Sequence, residues 1–167
     1  MARALHWGIA LLIIGQIAFG FALDTLAPRG TPMRGPVINL HKSFGLVLLG
    51  LILVRLGWRL AHKPPRWPAL MSSTEQALAT WGHRLLYAVM VALPVGGYVA
   101  SNFSKHGLKF FGLTLPPWGP DLPAVYRFFN GMHQLLGWAL ALLVIGHVAA
   151  ALRHRLRRDG IFQRMGP

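Results

Sequence analysis

Apolar residues along the chain fall into four long runs, separated by segments rich in proline, glycine and charge. A helix needs about 20 apolar residues to cross the hydrocarbon core of a membrane. Runs of this length lie at about residues 5–26, 37–60, 77–100 and 129–152. The pattern therefore predicts an all-α membrane protein, with four transmembrane helices packed as a bundle in a single domain over residues 1–167. The longest connection, residues 101–128, is predicted to fold back on the surface as a loop.

Composition supports this prediction, because hydrophobic residues make up 54% of the chain and charged residues only 13%. The formal net charge is +13, which in a soluble chain would suggest a nucleic-acid partner. Here the basic residues lie between and beside the apolar runs, where they act as topology signals and contact membrane lipid. We therefore expect no nucleic acid to bind.

Orientation follows from the distribution of lysine and arginine, which face the cytoplasm in excess. Eleven fall on one side of the predicted helices: Arg3, Arg55, Arg59, Lys63, Arg66, Arg84, Arg153, Arg155, Arg157, Arg158 and Arg164. Six fall on the other: Arg29, Arg34, Lys42, Lys105, Lys109 and Arg127. We expect a multi-pass protein of the bacterial inner membrane with both termini in the cytoplasm.

Several kinds of site are excluded by what the chain lacks. Without cysteine it can form no disulfide, iron–sulfur cluster or thiolate zinc site. The four carboxylates, Asp24, Glu75, Asp121 and Asp159, all lie outside the apolar runs. This placement argues against hydrolysis by paired carboxylates and against an acidic proton relay inside the membrane.

Histidine is the enriched ionisable residue, with eight copies. Five of them lie in or beside the predicted helices: His6, His41, His83, His133 and His147. An ionisable side chain within a span indicates function, because its desolvation must be compensated. The second and fourth helices start on the same side of the membrane, so His41 and His133, near those starts, are predicted to lie at similar depth.

A second layer of histidines is predicted deeper in the bundle. His147 follows His133 by fourteen residues, which is roughly 21 Å of helix and nearly a whole number of turns. The two rings therefore project from nearly the same face. At the depth of His147, both His6 and His83 are candidates to face it.

Paired histidines from different helices suit a six-coordinate b haem, whose iron takes one imidazole from each side. Zinc would need three or four clustered ligands, and the apolar runs offer no cysteine or carboxylate. The alternative for any single histidine is a hydrogen bond to a neighbouring helix. No C-x-x-C-H motif exists, so the haem would be bound non-covalently.

Five segments together resemble the bacterial cytochrome b561 family and, more distantly, the cytochrome b subunits of formate dehydrogenases and nickel–iron hydrogenases. The resemblance covers essentially the whole chain. The segments are LHW at 5–7, INLHKSFGLVLLGLILVRLGWRL at 38–60, GHRLLYAVMVALPVGGY at 82–98, GLTLP at 112–116 and MHQLLGWALALLVIGHVAAALRH at 132–154.

The resemblance implies two haem b groups in the bundle core. His41 and His133 would be the axial ligands of the periplasmic haem, and His6 and His147 those of the cytoplasmic haem. His83 occupies the position of a histidine that does not bind iron in the family, and it is the substitute if His6 does not ligate.

The resemblance also implies an oxidoreductase that passes electrons through both haems, oxidising superoxide at the periplasmic face and reducing ubiquinone. The alternative is a membrane-anchor subunit that passes electrons between a periplasmic dehydrogenase or hydrogenase and quinone. The chain alone suggests further roles. The cations that could steer superoxide are Lys42, Lys105, Lys109 and Arg127. Arg55 could bind a haem propionate, and the candidate donors to quinone are His154, His83 and Arg3.

Overall fold

A computed structural model describes residues 2–62, 67 and 71–162 of the chain. The basic residues Lys63, Arg66 and Arg164, which were assigned to the cytoplasmic side, lie outside the described residues. The helices are α1 (Ala2–Leu26), α2 (Arg34–Ala61), α3 (Ser73–Asn102) and α4 (Pro123–Arg157), and the strands are β1 (Leu108–Phe110) and β2 (Leu113–Leu115). All four helices are long and apolar enough to cross a membrane. The predicted bundle of four transmembrane helices is confirmed.

The helices extend beyond the apolar runs that predicted them, and local features at some of their ends favour this. Helix α4 begins six residues early at Pro123, since proline in a first turn has no N–H to leave unsatisfied. Helix α3 begins with a capping box: the Ser72 hydroxyl accepts from the Glu75 N–H at 3.3 Å, and Glu75 accepts from the Ser72 N–H at 3.1 Å. At the end of α1, Arg34 donates to the carbonyls of Leu23 and Ala27.

Packing follows the chain: α1 lies against α2, α2 against α3 and α3 against α4, whereas α1 approaches α4 at few positions. The main buried cluster lies at mid-height and is formed by Ile9, Ile13, Leu48, Ile52, Val89 and Leu140. Ala27, Met71, Ala100 and Leu108 are buried outside it. Large apolar side chains elsewhere on the helices are exposed, with Leu11 at 70% and Leu142 at 69%. Such surfaces suit contact with lipid, in keeping with a multi-pass membrane protein.

The connection between α3 and α4 contains a β-hairpin that the hydrophobic pattern did not predict. Its strands pair antiparallel with Lys109 opposite Thr114. Phe111 and Gly112 form the turn at φ of 45° and 94°, the positive values of a type I′ turn. Turns of this type usually carry Asn-Gly or Asp-Gly, so the Phe-Gly sequence did not indicate a hairpin.

Helix α2 anchors this hairpin. The buried Ser43 hydroxyl accepts from the Phe111 N–H at 2.9 Å and contacts the Lys109 carbonyl at 3.1 Å. The Asn39 side-chain oxygen accepts from the Lys109 N–H, and the Lys42 ammonium donates to the Gly107 carbonyl. The hairpin is therefore fixed beside the first turns of α2.

We expect Ser43→Ala to loosen the hairpin, because it leaves the Phe111 N–H without its acceptor at a cost of about 1–3 kcal/mol. Thermal unfolding in detergent should show the loss, and hydrogen exchange of the Phe111 amide should become faster. Ser104→Ala is the matched control, since the Ser104 hydroxyl donates to the nearby Ser101 carbonyl and not to the hairpin. Equal exchange of the Phe111 amide in both variants would contradict the anchoring role.

Candidate functional site

Two pairs of histidine rings face each other across the bundle. His41 of α2 and His133 of α4 have ring centres 6.2 Å apart and planes at 89°. His6 of α1 and His147 of α4 have ring centres 6.3 Å apart and planes at 73°. The structure thus brings together the residues of both predicted pairs. We call their levels the His41 layer and the His147 layer.

The ring separations suit a metal ion between each pair. An imidazole nitrogen binds a first-row metal at about 2 Å, so two rings on opposite sides of one ion have centres roughly 6 Å apart. Edge-to-face ring pairs without a metal fall in the same range of distances. The surrounding space and hydrogen bonds therefore decide between the two arrangements.

The space around the His41 layer is a cavity of about 1480 Å³. Ligand sites commonly enclose about 300–1,000 Å³, so this cavity can take a group larger than most small molecules. His41 and His133 line it, and aliphatic side chains including Leu48, Ile52 and Leu140 form its apolar wall. Histidine rings that merely packed against each other would not need such a volume.

Two glycines make room for the facing imidazoles. A Cβ atom on Gly97 of α3 would lie 2.8 Å from Nδ1 and 2.9 Å from Cε1 of His133. A Cβ atom on Gly20 of α1 would lie 3.4 Å from Cε1 of His41. Helices α1 and α3 therefore pack closely against the rings of His41 and His133.

Hydrogen bonds leave a nitrogen of each ring in the His41 layer for another partner. Nδ1 of His133 lies 2.8 Å from the Leu93 carbonyl, which fixes the proton on Nδ1 and leaves the lone pair on Nε2. Among the described residues, Nδ1 of His41 is buried without a hydrogen-bond partner. An unsatisfied buried polar atom costs free energy. These side chains fit a flat macrocycle that takes an axial imidazole on each face.

The His147 layer contains a third histidine and an arginine. The His83 ring centre lies 5.4 Å from that of His147, closer than a shared metal ion would set it. Nδ1 of His83 lies 2.5 Å from the Ala79 carbonyl, a bond within its own helix. Arg55 donates to Nδ1 of His6 at 2.6 Å. Because a metal-binding His6 would carry its proton on Nδ1, Nε2 can bind iron only once Arg55 releases Nδ1.

One spacing relates the two layers on every helix. Fourteen residues separate His6 from Gly20 on α1, His41 from Arg55 on α2, His83 from Gly97 on α3, and His133 from His147 on α4. Fourteen residues make almost four turns, about 21 Å, so each helix presents the same face at both levels. The buried aliphatic cluster lies between them, with Leu48 and Leu140 each seven residues after the histidine of the His41 layer.

Basic side chains line the cavity at the His41 layer, together with the carboxylates Asp24 and Asp121. We call one group of them the basic rim: Lys42, Lys105, His106, Lys109 and Arg127. Lys42 is half-buried and bonded to the hairpin, whereas the side chains of Lys105, Lys109 and Arg127 are exposed. The structure thus places every predicted steering cation on the cavity that contains His41 and His133.

The predicted quinone donors lie at the opposite end of the bundle. Arg3 precedes His6 by three residues on α1, and His154 lies two turns beyond His147 on α4. Nδ1 of His154 lies 2.6 Å from a carboxylate oxygen of Asp159, a partner that sequence reasoning missed. The hydrogen bond from His154 lowers the pKa of Asp159 below its ordinary value. Their spacing of five residues is not a helical neighbour spacing, so no periodic pattern indicated the pair.

Comparison with known proteins gives a match over the whole chain. The family model described as prokaryotic cytochrome b561 matches residues 1–167. Cytochrome b561 homolog 2 of Escherichia coli is 29% identical over 168 residues, covering 99% of this chain and 88% of that protein. Cytochrome b561 homolog 1 of the same organism is 23% identical, covering 98% and 93%. The probable superoxide oxidase CybB of Yersinia pestis is 29% identical, covering 98% and 92%.

We expect Gly97→Ala to displace the His133 ring, because its methyl group would lie 2.8 Å from Nδ1. The purified variant should contain less haem and show an altered reduced-minus-oxidised spectrum. Gly96→Ala is a matched control on the same helix, since its Cβ would lie 4.0 Å from the nearest neighbour, the Phe129 carbonyl. If both variants bind haem as the unmodified chain does, the close contact at Gly97 does not govern the site.

Proposed function

The chain belongs to the prokaryotic cytochrome b561 family, and on that basis we propose that it is a superoxide:quinone oxidoreductase that carries electrons across the membrane. Membership implies haem b binding and transmembrane electron transfer. The proposed overall reaction takes two superoxide ions, one ubiquinone and two protons to two dioxygen molecules and one ubiquinol. Superoxide is oxidised at the periplasmic end, and ubiquinone is reduced at the cytoplasmic end.

The observation that carries the proposal is the pair of imidazole contacts, 6.2 Å and 6.3 Å between ring centres, at two levels of one bundle. We assign His41 and His133 to one haem b, and His6 and His147 to a second. A bound haem supplies reversible one-electron chemistry at its iron. His83 is assigned no iron, because its ring centre lies 5.4 Å from that of His147, closer than the 6.3 Å between His6 and His147.

The protein's part is to hold the ligands in position. The Leu93 carbonyl keeps the His133 ring in one tautomer, with Nε2 as the ligating atom. In the other layer, Arg55 would hold a haem propionate, because guanidinium pairs well with carboxylates. His6 would ligate through Nε2 with its proton on Nδ1, which requires that Nδ1 no longer accept from Arg55.

Superoxide as the donor is supported by the basic rim and by one relative. Superoxide is a small anion, and positive charge around a cavity mouth raises its local concentration and its rate of encounter. The probable superoxide oxidase of Yersinia pestis aligns with 98% of this chain at 29% identity. We place this mouth in the periplasm and both termini in the cytoplasm of a bacterial inner membrane, following the excess of arginine at the other end.

Quinone as the acceptor is proposed at the cytoplasmic end, beside the His147 layer. A quinone takes up protons as it is reduced, so its site needs hydrogen-bond donors and a route from water. His83, His154 and Arg3 are the candidate donors at this end, and Nε2 is the nitrogen of His83 that would face the quinone, since its Nδ1 bonds the Ala79 carbonyl. Arg3 and His154 flank the layer along α1 and α4, and His83 lies within it.

Replacing His133 by alanine should remove the haem of the His41 layer, and replacing His147 should remove the haem of the His147 layer. His83→Ala should keep both. A pyridine haemochrome assay with redox titration counts the haems in each variant: two in the unmodified chain, one in each ligand variant and two in His83→Ala. Retention of both haems in His133→Ala and His147→Ala would show that the pairing is wrong.

Reduction of the haem by superoxide should slow as salt rises. The Debye length falls from about 30 Å at 0.01 M to about 10 Å at 0.1 M, so the field of the basic rim reaches less far. The double variant Lys105→Gln/Lys109→Gln should be slower at low salt and less sensitive to salt, with both haems retained. Stopped-flow haem reduction in liposomes at the two salt concentrations measures these rates.

The control for this experiment is Arg84→Gln/Arg155→Gln, which removes the same charge from the opposite end of the bundle. Its rates should match those of the unmodified protein. Slow reaction with superoxide that is indifferent to salt, together with rapid reduction by a co-purifying periplasmic protein, would instead identify an electron-transfer subunit.

A further inference from the structure

The chain folds back after α4 and brings a carboxylate onto His154. Arg158 ends the helix in the left-handed conformation at φ 55°, and Gly160 follows at φ 78°. Between them, Asp159 binds His154 through Oδ2 at 2.6 Å and accepts from the Ile161 N–H through Oδ1 at 3.1 Å. Both carboxylate oxygens are therefore engaged, and the reversal fixes Asp159 in one position.

This pair is unusually shielded for its place at a helix end. The side chains of His154 and Asp159 are 14% and 15% exposed. Within the described ranges the other ion pairs are more open, such as Arg157 with Glu75 at 48% and 23%. Left-handed backbone at a residue other than glycine costs roughly 1–2 kcal/mol, which a plain helix ending at glycine would avoid. The local geometry thus favours a function for the pair over a role in capping alone.

We propose that Asp159 is a positioning residue that holds His154 by Nδ1, so that Nε2 is the nitrogen offered to a quinone oxygen. The inference rests on the proposed function, and it specifies how the quinone receives its protons. A carboxylate that accepts from Nδ1 fixes the ring and its tautomer and stabilises the imidazolium form. His154 can then act as a proton donor through a single atom.

Ubiquinone receives two electrons, one from each of two superoxide ions, and each reduced oxygen takes one proton. The N–H bond at Nε2 of the His154 imidazolium breaks, and an O–H bond forms on the quinone. The neutral ring keeps its proton on Nδ1 against Asp159 and is reprotonated at Nε2 from cytoplasmic water before the second transfer.

The charges around the pair are compatible with this role. The bond from His154 lowers the pKa of Asp159, so the carboxylate is ionised at neutral pH. Arg157 of α4 also acts on Asp159, and it is itself bonded to Glu75 of α3 at 2.9 Å. Arg153 pairs with the same Glu75, and Arg3 of α1 lies at the same end of the bundle. Asp159 is the carboxylate among these groups that binds the imidazole directly.

The test compares Asp159→Asn with the unmodified holoprotein in liposomes that contain ubiquinone. Asparagine keeps the shape of the side chain and removes its charge, so the imidazolium form of His154 loses its anion. We expect quinone reduction to fall about tenfold, less than the roughly 100-fold or more that a positioned acid contributes, because His154 itself remains. Haem reduction by superoxide without quinone should be unchanged.

Two further variants and a spectrum sharpen the comparison. Glu75→Gln removes a carboxylate at the same end without touching His154, and it should match the unmodified rate, since glutamine also serves a capping box. His154→Ala should be at least as slow as Asp159→Asn. Nitrogen-15 NMR of the imidazoles should show His154 protonated on Nδ1 in the unmodified chain and a tautomer mixture in Asp159→Asn.

The outcomes separate this inference from the proposed function. If Asp159→Asn reduces quinone with the unmodified rate and keeps the His154 tautomer, Asp159 does not position His154 and the inference is overturned. If the unmodified protein is reduced by superoxide but passes no electrons to ubiquinone, the proposed function fails first, and the inference fails with it.

Discussion

The separation of two imidazoles by about 6 Å is the constraint on which the bundle depends. Helices that must hold facing rings apart cannot close along their full length, so the buried core shrinks to one aliphatic layer between the two levels. α1 and α4, which supply the His6 and His147 pair, touch directly at few positions. Glycine is required where a third helix passes close behind a ring, as at Gly97 beside His133. The cavity and the small buried cluster therefore both follow from the separation of the facing histidine rings.

A membrane gives polar groups no water to bind, so each polar side chain near the cavity needs a partner within the protein. The Leu93 carbonyl serves His133, and the Gly107 carbonyl serves Lys42. Lys42 is thereby both a member of the basic rim and an anchor of the hairpin, which places the exposed Lys109 at the cavity mouth. The hydrogen bonds that fold the connection between α3 and α4 therefore also position Lys42 and Lys109 at the cavity.

Much of this arrangement could be predicted because it is periodic. The length of the apolar runs predicted the helices, and fourteen residues between His133 and His147 predicted two levels on one face of α4. The hairpin and the pair of His154 with Asp159 could not be found in this way. Each depends on a residue other than glycine at positive φ, Phe111 in one and Arg158 in the other, and tertiary contacts rather than local preference hold such residues there. The early start of α4 was missed because Pro123 follows a segment rich in proline and glycine.

The two ends of the bundle differ in the chemistry that the proposed reaction needs. Oxidising an anion requires positive charge at an open mouth and no proton, and the His41 layer offers the basic rim over a wide cavity. Reducing a quinone requires protons, and the His147 end offers His154 with a carboxylate to orient it. Among the described residues, the six members of the aliphatic cluster between the layers are all apolar, and Tyr87 packs against them. In the proposed reaction electrons would cross this layer more readily than protons, so the protons for ubiquinol would be taken up at the His147 end. The proposed reaction would then carry negative charge from the His41 layer towards the His147 layer, because the apolar cluster separates the two histidine pairs.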